Sequence, residues 1–322
     1  MLFELAFFSV AFVASAFSVI VVARENKRRR MTGRDVNKAD KRELPEGVGI
    51  ALIVPMWIAI ALFNLLVSEN TGFVAFGLTV SVLSLVGFLD DRKQKFKVRT
   101  ISWQSRALIV GLVCMMFAMF YAPEPTILWL VPFAAFVGVL ASFENTFAGL
   151  NGWEVGSGLI IALFVTSMLN PAGAMPIGIA LVASILGLLI FNLYPARVFP
   201  GDSGTLFIGG SIACIVILNQ DMFLMLLTAL FFLPHAFDFF ALKFLTNRQD
   251  MSQSKRLPYA IRQDGRLAIP NYPGQKPKYD FAKLVLKLFG PMPEWLAVAL
   301  IWLVVIVNCG FWTLVFKGIG LI

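Results

Sequence analysis

The sequence predicts an all-α integral membrane protein with about ten transmembrane helices, and three observations support this prediction. Hydrophobic residues make up 58% of the 322-residue chain and charged residues only 14%, whereas soluble domains contain about half apolar and about a quarter charged residues. The apolar residues also form long blocks, and a helix needs roughly 20 of them to cross a bilayer. The short alternating segments typical of a membrane β-barrel do not occur in the sequence.

The apolar segments are interpreted as spans of one polytopic domain covering residues 1–322, because no internal repeat or linker divides them. The first is kept as a span rather than a signal peptide, since its basic cluster follows the apolar stretch instead of preceding it. The sixth is short for a span. In chain order the segments are roughly residues 1–22, 50–67, 71–89, 104–121, 126–143, 156–169, 173–193, 203–219, 221–244 and 292–316.

The loops on one side of the predicted bundle hold nearly all of the positive charge. Together with the adjoining span ends, the segments 23–49, 90–103, 143–155, 192–202 and 245–291 contain 26 of the 27 Lys and Arg residues. Cytoplasmic loops are enriched in these residues, so this side is predicted to be cytoplasmic and both termini extracytoplasmic. The expected location is the cell membrane, or the endoplasmic reticulum membrane in a eukaryote.

The net charge of +8 has two interpretations, which are topogenic charge that attracts anionic headgroups and binding of an anionic substrate. Nucleic acid binding is not indicated, because the sequence contains no known recognition motif. The three Cys residues lie inside predicted spans and are expected to be inert packing residues. Unusual polar residues concentrate on the cytoplasmic side, so chemistry is expected there.

Two adjacent carboxylates, Asp90 and Asp91, end the third predicted span. Paired carboxylates attract a divalent cation, and Mg²⁺ is usually held by one or two carboxylates together with substrate phosphates. The alternative is a solvated span end balanced by Arg92 and Lys93. The pair alone does not decide between them.

The segment 145–154 interrupts an apolar stretch with two amides, two glycines and a carboxylate. Irregular backbone at membrane depth is tolerated where it is buried in protein or lines a water-filled cavity. The pattern therefore predicts a broken helix that presents Asn145, Asn151 and Glu154 to a cytoplasmic cavity. An ordinary Asn-Gly turn is the alternative.

In the segment 192–205, Asp202 lies between Gly201 and Gly204 immediately before an apolar helix. Asp202, with Ser203, could cap that helix. A glycine-flanked acid at a helix start could also hold a metal beside a phosphate-binding helix N-terminus.

The loop 245–291 is basic and includes Arg256 and Arg262. It carries either the charge expected of a cytoplasmic loop or an arginine clamp for a pyrophosphate, since guanidinium groups bind phosphate oxygens in a bidentate way. His235 and Asp238, three positions apart on the ninth span, could face one cavity. Because His235 is the only His, a His-based zinc site or catalytic pair is excluded.

Taken together, these segments resemble the polyprenyl-phosphate N-acetylhexosamine-1-phosphate transferase family of the glycosyltransferase 4 type. Within it they look closest to the dolichyl-phosphate GlcNAc-1-phosphotransferase branch of eukaryotes and archaea. The similar stretches keep the family's order and are residues 33–38, 45–49, 90–91, 145–154, 194–202, 256–258 and 265–267.

The resemblance implies ten helices, a UDP-sugar donor, a polyprenyl or dolichyl phosphate acceptor, and Mg²⁺ with Mn²⁺ as a substitute. It implies transfer of GlcNAc 1-phosphate, or a related N-acetylhexosamine 1-phosphate, with release of UMP, as in the first step of N-glycosylation-type glycan assembly. A homodimer is left open. By similarity, the expected site residues are Asp90 and Asp91 for catalysis, Asn145 and Asp202 for the metal, Asn151, Glu154, Asn192 and Arg256 for the nucleotide and sugar, and Lys38 and Arg262 for phosphate contacts.

The chain also departs from the family pattern, with Ser142 in place of an Asn, Lys255 in place of a His and Tyr259 in place of an Arg. One alternative is the same chemistry on undecaprenyl phosphate for cell-wall or surface polysaccharide. A transporter would need ionisable residues deep inside spans and symmetry between halves, which the sequence does not show. An inactive scaffold would not be expected to retain the acidic and amide residues named above.

Overall fold

The computed structural model describes residues 2–38, 42–67, 70–96, 103–124, 126–244, 258–271 and 278–321, and its helices confirm the predicted all-α class. A 3-10 helix (Val48–Leu52) precedes α2, and a π-helix (Asp238–Phe244) continues α10. The α-helices in chain order are α1 (Leu2–Arg28), α2 (Ile53–Leu66), α3 (Thr71–Phe96), α4 (Trp103–Tyr121), α5 (Ile127–Thr146), α6 (Trp153–Thr166), α7 (Met175–Asn192), α8 (Gly201–Leu218), α9 (Met222–Phe231), α10 (Leu233–Phe237), α11 (Phe281–Phe289) and α12 (Glu294–Gly318).

All ten predicted spans correspond to helices, but they differ in length. Among the described residues, seven helices are long and apolar enough to cross a membrane, and the bent pair Met222–Phe231 and Leu233–Phe244 makes an eighth candidate. The remaining two are the shorter apolar helices Ala107–Tyr121 and Trp153–Thr166. The count of ten crossings and the sidedness of the termini stay predictions.

Two short antiparallel hairpins, which the sequence analysis did not anticipate, lie between the spans. In the first, β1 (Thr32–Arg34) pairs with β2 (Glu43–Pro45). In the second, β3 (Ala260–Ile261) pairs with β4 (Leu267–Ala268). Open strand edges are excluded from lipid because their backbone groups need partners, so neither hairpin is expected to face the lipid.

Helix α8 lies at the centre of the bundle. Within the bundle, 83% of its span is buried, compared with 28% for α1 and 22% for α12. It packs against α3, α5 and α6, and its many small residues allow this close packing. The first turn of α8 therefore lies in the middle of one end of the bundle, which also carries the segments 29–38, 42–47, 147–152 and 193–200. We call this end the site end.

The ninth predicted span is broken rather than straight. Its two halves, α9 and the segment Leu233–Phe244, meet at an angle of 48°. Pro234 lies in the first turn of α10, where its missing N–H removes a helical hydrogen bond and its ring disfavours continuation from α9. We call the segment 233–244 the distal half-span.

Candidate active site

The N-terminal segment around Glu46 is hydrogen-bonded to the loop that leads into α8. The backbone N–H of Phe199 donates to the carbonyl oxygen of Pro45 at 2.8 Å, and the N–H of Val48 donates to the carbonyl oxygen of Phe199 at 3.1 Å. This short ladder brings two regions that are far apart in sequence to the same wall of the site end.

Asp91, in the last part of α3, caps the start of α8. Its side chain is buried, and its two oxygens accept the backbone N–H groups of Asp202 at 2.9 Å and of Ser203 at 3.2 Å. The first N–H groups of a helix have no partner within the helix, and a carboxylate there also interacts favourably with the helix dipole. The capping carboxylate of α8 is thus Asp91 rather than Asp202.

Gly201 is explained by this approach of Asp91. Its φ is +67°, and a Cβ atom at this position would lie 2.4 Å from Oδ2 of Asp91. A side chain would therefore collide with the capping carboxylate, and the positive φ would strain any residue other than glycine. We call Asp91, Gly201, Asp202 and Ser203 the α8 entrance.

The other residues predicted to serve the metal lie at the same end of the bundle. Asp202 is half-buried in the first turn of α8, and its charge acts on Asp91. Asp90 precedes Asp91 and is half-buried, as is Asn145 in the last turn of α5.

The donor atoms of the α8 entrance fit a hard cation. Within the described ranges, no three Asp, Glu, His or Cys side chains form a group that could enclose a metal. Mg²⁺ needs only one or two carboxylates, because waters and substrate phosphates complete its octahedral shell. Asp91 and Asp202 supply that number, so these residues fit an ion that is shared with a phosphate substrate.

Asn151 lies in a buried polar network. Its side-chain amide donates to Oδ2 of Asp35 at 3.0 Å, and its backbone N–H donates to Oε1 of Glu294 at 2.8 Å. Asn151, Asp35 and Glu294 are 5%, 3% and 3% exposed. Because buried polar networks are costly unless satisfied, these contacts fix both the backbone and the amide plane of Asn151.

Lys38 is the cation of this network. Its ammonium donates to Oε2 of Glu294, lies 3.5 Å from Oδ2 of Asp35, and stands 4.3 Å from the centre of the Tyr194 ring. These contacts direct Lys38 at two carboxylates within the protein, whereas the resemblance implied a phosphate contact. The backbone N–H of Asn37 donates to Oδ1 of Asp35 at 3.3 Å. We call Asp35, Asn37, Lys38, Asn151 and Glu294 the Asn151 network.

The side chain of Asn192 forms hydrogen bonds to two loops. Its Oδ1 accepts the backbone N–H of Gly152 at 3.1 Å, and its Nδ2 donates to the carbonyl oxygen of Val198 at 3.0 Å. The residue is fully buried. In this structure Asn192 therefore holds the broken loop against the segment before α8, and any effect on the nucleotide would pass through those loops.

A polar cavity of about 230 Å³ lies between the Asn151 network and the α8 entrance. Asn37, Glu46, Glu154 and Gly201 contribute to its lining. Oδ1 of Asn37 and Oε2 of Glu154 are buried without a hydrogen-bond partner among the described residues. Unpartnered buried acceptors are costly, so the cavity is suited to a ligand that carries hydroxyl or N–H donors.

The second hairpin covers the broken loop. Tyr259 is buried there, and a Cβ atom on Gly149 would lie 3.4 Å from its hydroxyl oxygen. Burial raises the pKa of this hydroxyl well above its usual range. Arg262 is exposed on the hairpin turn, and Arg256 lies outside the described residues.

Several residues of the site were not assigned a role from the sequence. Asp35, Asn37 and Glu46 lie in stretches that carried the family resemblance, which was the available signal. Glu294 had only the weak signal of an acid at the start of an apolar span. Its contact with Asn151 joins positions 143 residues apart, and no local pattern reports such a contact.

An apolar groove of about 720 Å³ runs along α4 and α5. Phe239 and Phe240 of the distal half-span form part of its wall. Its lining also includes Ser142 and Phe143, which lie just before Asn145. The groove thus leads from the lipid-facing side of the bundle towards the site end.

The sequence of this chain is similar to a protein family and to several known proteins. The family model for glycosyl transferase family 4 matches residues 73–220. A protein of Saccharolobus solfataricus, described provisionally as a UDP-N-acetylglucosamine–dolichyl-phosphate N-acetylglucosaminephosphotransferase, is 30% identical over 315 residues, or 91% of this chain and 90% of that protein.

Bacterial proteins are similar over a shorter part of the chain. A phospho-N-acetylmuramoyl-pentapeptide-transferase of Bacillus anthracis is 28% identical over 215 residues, covering 59% of this chain and 66% of its own. A Bacillus subtilis protein, described provisionally as an undecaprenyl-phosphate N-acetylglucosaminyl 1-phosphate transferase, is 25% identical and covers 65% of this chain and 62% of its own.

Proposed function

This chain belongs to glycosyl transferase family 4, and we propose that it transfers N-acetylglucosamine 1-phosphate, or a related N-acetylhexosamine 1-phosphate, from a UDP-sugar to a polyprenyl or dolichyl phosphate. The products are a lipid-linked sugar diphosphate and UMP, which begins lipid-linked glycan assembly. The Saccharolobus solfataricus relative, which matches most of both chains, bears this activity in its provisional name. The proposed active site is cytoplasmic, because the positive charge lies on the loops at the site end.

The observation that carries the proposal is the position of the polar cavity directly beside the α8 entrance. Gly201 belongs to both, since it lines the cavity and contacts the carboxylate of Asp91. A nucleotide sugar needs hydrogen-bond acceptors for its hydroxyl and N–H groups, and it needs a binding site for its diphosphate next to them. Asn37 and Glu154 both line the cavity, and each has a buried oxygen without a hydrogen-bond partner among the described residues.

The apolar groove supports a lipid acceptor. Its walls come from α4, α5 and the paired rings of Phe239 and Phe240, so an isoprenoid chain can occupy it without burying polar groups. One end of the groove is lined by Phe143, which is two residues before Asn145 in the sequence. An acceptor in the groove would therefore carry its phosphate towards the residues that we assign to the metal.

The chemistry requires two anionic groups to meet, so positioning and charge neutralisation dominate. An oxygen of the lipid phosphate attacks the β-phosphorus, a new P–O bond forms, and the bond to the bridging oxygen breaks with its electron pair leaving on UMP. A bound Mg²⁺ would neutralise the phosphate oxygens. Asp202 and Asp91, with Asn145, would hold that ion, while Asn151 and Glu154 orient the donor.

The proposal is tested with purified protein, radiolabelled UDP-sugars and defined polyprenyl phosphates. We expect a labelled lipid product from a UDP-N-acetylhexosamine, with release of UMP. Absence of product from every pairing of donor and acceptor, in protein that is shown to be folded, would contradict the proposal.

The acceptor has a second candidate, undecaprenyl phosphate, which the name of the Bacillus subtilis relative favours. The same assay separates the two candidates, because dolichyl phosphate has a saturated α-isoprene unit and undecaprenyl phosphate does not. The preferred acceptor is the one with the higher kcat/KM at equal solubilisation.

A further inference from the structure

Residues 144–147, which join α5 to the broken loop, are held by the distal half-span rather than by neighbours in sequence. His235 and Asp238, whose spacing suggested that they could face one cavity, have different polar partners. Nε2 of His235 lies 3.1 Å from Oε2 of Glu144. Asp238 instead lies 2.7 Å from the ammonium of Lys243 and accepts the backbone N–H of Phe281 at 2.7 Å.

Glu144 is enclosed where α5, α6 and α8 meet. A Cβ atom on Gly158 would lie 2.6 Å from its Oε1, and a Cβ atom on Gly209 would lie 2.8 Å from its own Cβ. Glu144 and His235 are both fully buried. The two glycines therefore form a slot for this one side chain, and His235 closes the slot from the distal half-span.

Two more contacts join the same segments. The ammonium of Lys243 donates to the carbonyl oxygen of Thr146. The Phe147 ring lies on the His235 ring, with centroids 4.1 Å apart, and meets the Trp153 ring edge-on at 5.0 Å. Three successive attachments thus surround Asn145, and all three originate from the distal half-span.

We propose that the distal half-span is a positioning element for the donor site and that His235 is its central positioning residue. His235 acts through Glu144 and Phe147, which flank Asn145 and the first residues of the broken loop. The catalytic consequence rests on the proposed function. The structural consequence, a loop 145–152 that is ordered by His235, does not depend on it.

The loop 145–152 needs support from His235 because its backbone is irregular. Residues without helical hydrogen bonds at membrane depth need partners from the surrounding protein, and a hydrogen bond in a low-dielectric interior is stronger than one in water. Oε1 of Glu144 and Nδ1 of His235 have no hydrogen-bond partner among the described residues. The single bond between the two side chains is therefore the polar contact that removal of His235 would eliminate.

The test compares His235→Leu with Asn308→Leu, a control on the other side of the bend. Asn308 donates to the carbonyl oxygens of Leu230 and Phe231 at 3.0 and 3.1 Å, so its loss disturbs the same broken span without touching the loop. Hydrogen exchange of peptides covering 145–152 is measured on both proteins without substrate, alongside thermal stability and the KM for the UDP-sugar.

We expect His235→Leu to raise exchange in 145–152 and the donor KM each by about tenfold, while Asn308→Leu changes both by less than about twofold at a similar loss of thermal stability. Glu144→Gln retains a hydrogen-bonding group of the same size and is expected to stay close to the original protein. Equal exchange in the His235 and Asn308 variants would overturn the inference.

If His235→Leu does not fold, Lys243→Met provides the same comparison through Thr146, with a smaller expected rise in exchange. No rise in this variant would overturn the inference. If no donor and acceptor pair gives a product, the proposed function fails, whereas the exchange measurement still decides whether His235 orders the loop.

Discussion

The α8 entrance and the Asn151 network both bury carboxylates at the site end, but they compensate the charge differently. At the α8 entrance, Asp91 accepts two backbone N–H groups while the charge of Asp202 acts on it. In the Asn151 network, Asp35 and Glu294 converge on the ammonium of Lys38.

The α8 entrance is therefore suited to bind an added cation, whereas the Asn151 network already contains a cation, Lys38. Two neighbouring carboxylates at a helix start are destabilised by mutual repulsion, and a divalent ion would relieve it. The Asn151 network includes its own positive charge and leaves Asn151 rigidly held. We therefore expect the α8 entrance to govern metal dependence and turnover, and the Asn151 network to govern donor binding.

Removal of divalent cations tests this separation most strongly. Because the candidate ligands are the carboxylate oxygens of Asp91 and Asp202 and the amide oxygen of Asn145, Mg²⁺ or Mn²⁺ should both support the reaction. We expect turnover to fall to background in excess chelator and to return when either ion is added back. Full turnover in the chelator would contradict a metal at the α8 entrance.

Substitution of Asp202→Asn should have the next largest effect. The cap of α8 is Asp91, so the fold should tolerate the amide, while the lost charge should slow lipid product formation by more than about tenfold, equivalent to about 1.4 kcal/mol. Asp221→Asn is the matched control, because Asp221 caps α9 through the N–H groups of Phe223 and Leu224 away from the site. Similar turnover in Asp202→Asn and Asp221→Asn would contradict a metal-binding role for Asp202 and would indicate a structural role.

Lys38→Met should weaken donor binding rather than the chemical step. Removing one partner of a buried ion pair costs about 3 kcal/mol or more, and the freed carboxylates would no longer hold Asn151. We expect a raised KM for the UDP-sugar with a nearly unchanged kcat. Lys283→Met is the control, since its buried ammonium pairs with Asp280 outside the network.

If Lys38 instead contacts a phosphate in the transition state, kcat should fall with kcat/KM and the donor KM should change little. That result would show that Lys38 contacts the reacting groups rather than only supporting Asn151. A raised KM in Lys283→Met as well would show a general effect of lost stability.

Arg262→Gln should have the smallest effect. The side chain is exposed on the hairpin turn, where ion pairs and hydrogen bonds contribute little. We expect kcat/KM to change by less than about twofold. A loss of more than about tenfold would show that the hairpin closes over the donor and that Arg262 reaches its phosphates.

Features encoded by local patterns were predictable from the sequence. Long apolar blocks predicted the helices, and the motif around Gly201 and Asp202 predicted a special helix start. Pro234 was a visible signal for a break that the sequence analysis treated as one continuous span. The break was missed because the apolar run continues through Pro234, and prolines are also tolerated inside continuous transmembrane helices.

Contacts between distant segments could not be predicted from one sequence. Asp91 was identified as an acid, but its role as the cap of α8 depends on α3 packing against α8. Glu144 and His235 are 91 positions apart, and the sequence places Glu144 at the start of a predicted cytoplasmic loop and His235 inside a predicted span. Only the packing of four helices shows that they meet.

In the proposed reaction a sugar 1-phosphate, and not the sugar alone, moves to the lipid. The direct measurement uses UDP-N-acetylglucosamine carrying radioactive phosphorus in its β-phosphate, with the preferred polyprenyl phosphate and Mg²⁺. We predict that the label appears in the lipid fraction and that unlabelled UMP is released in equal amount. Label that stays in the water-soluble nucleotide as UDP, while sugar appears on the lipid, would contradict the account.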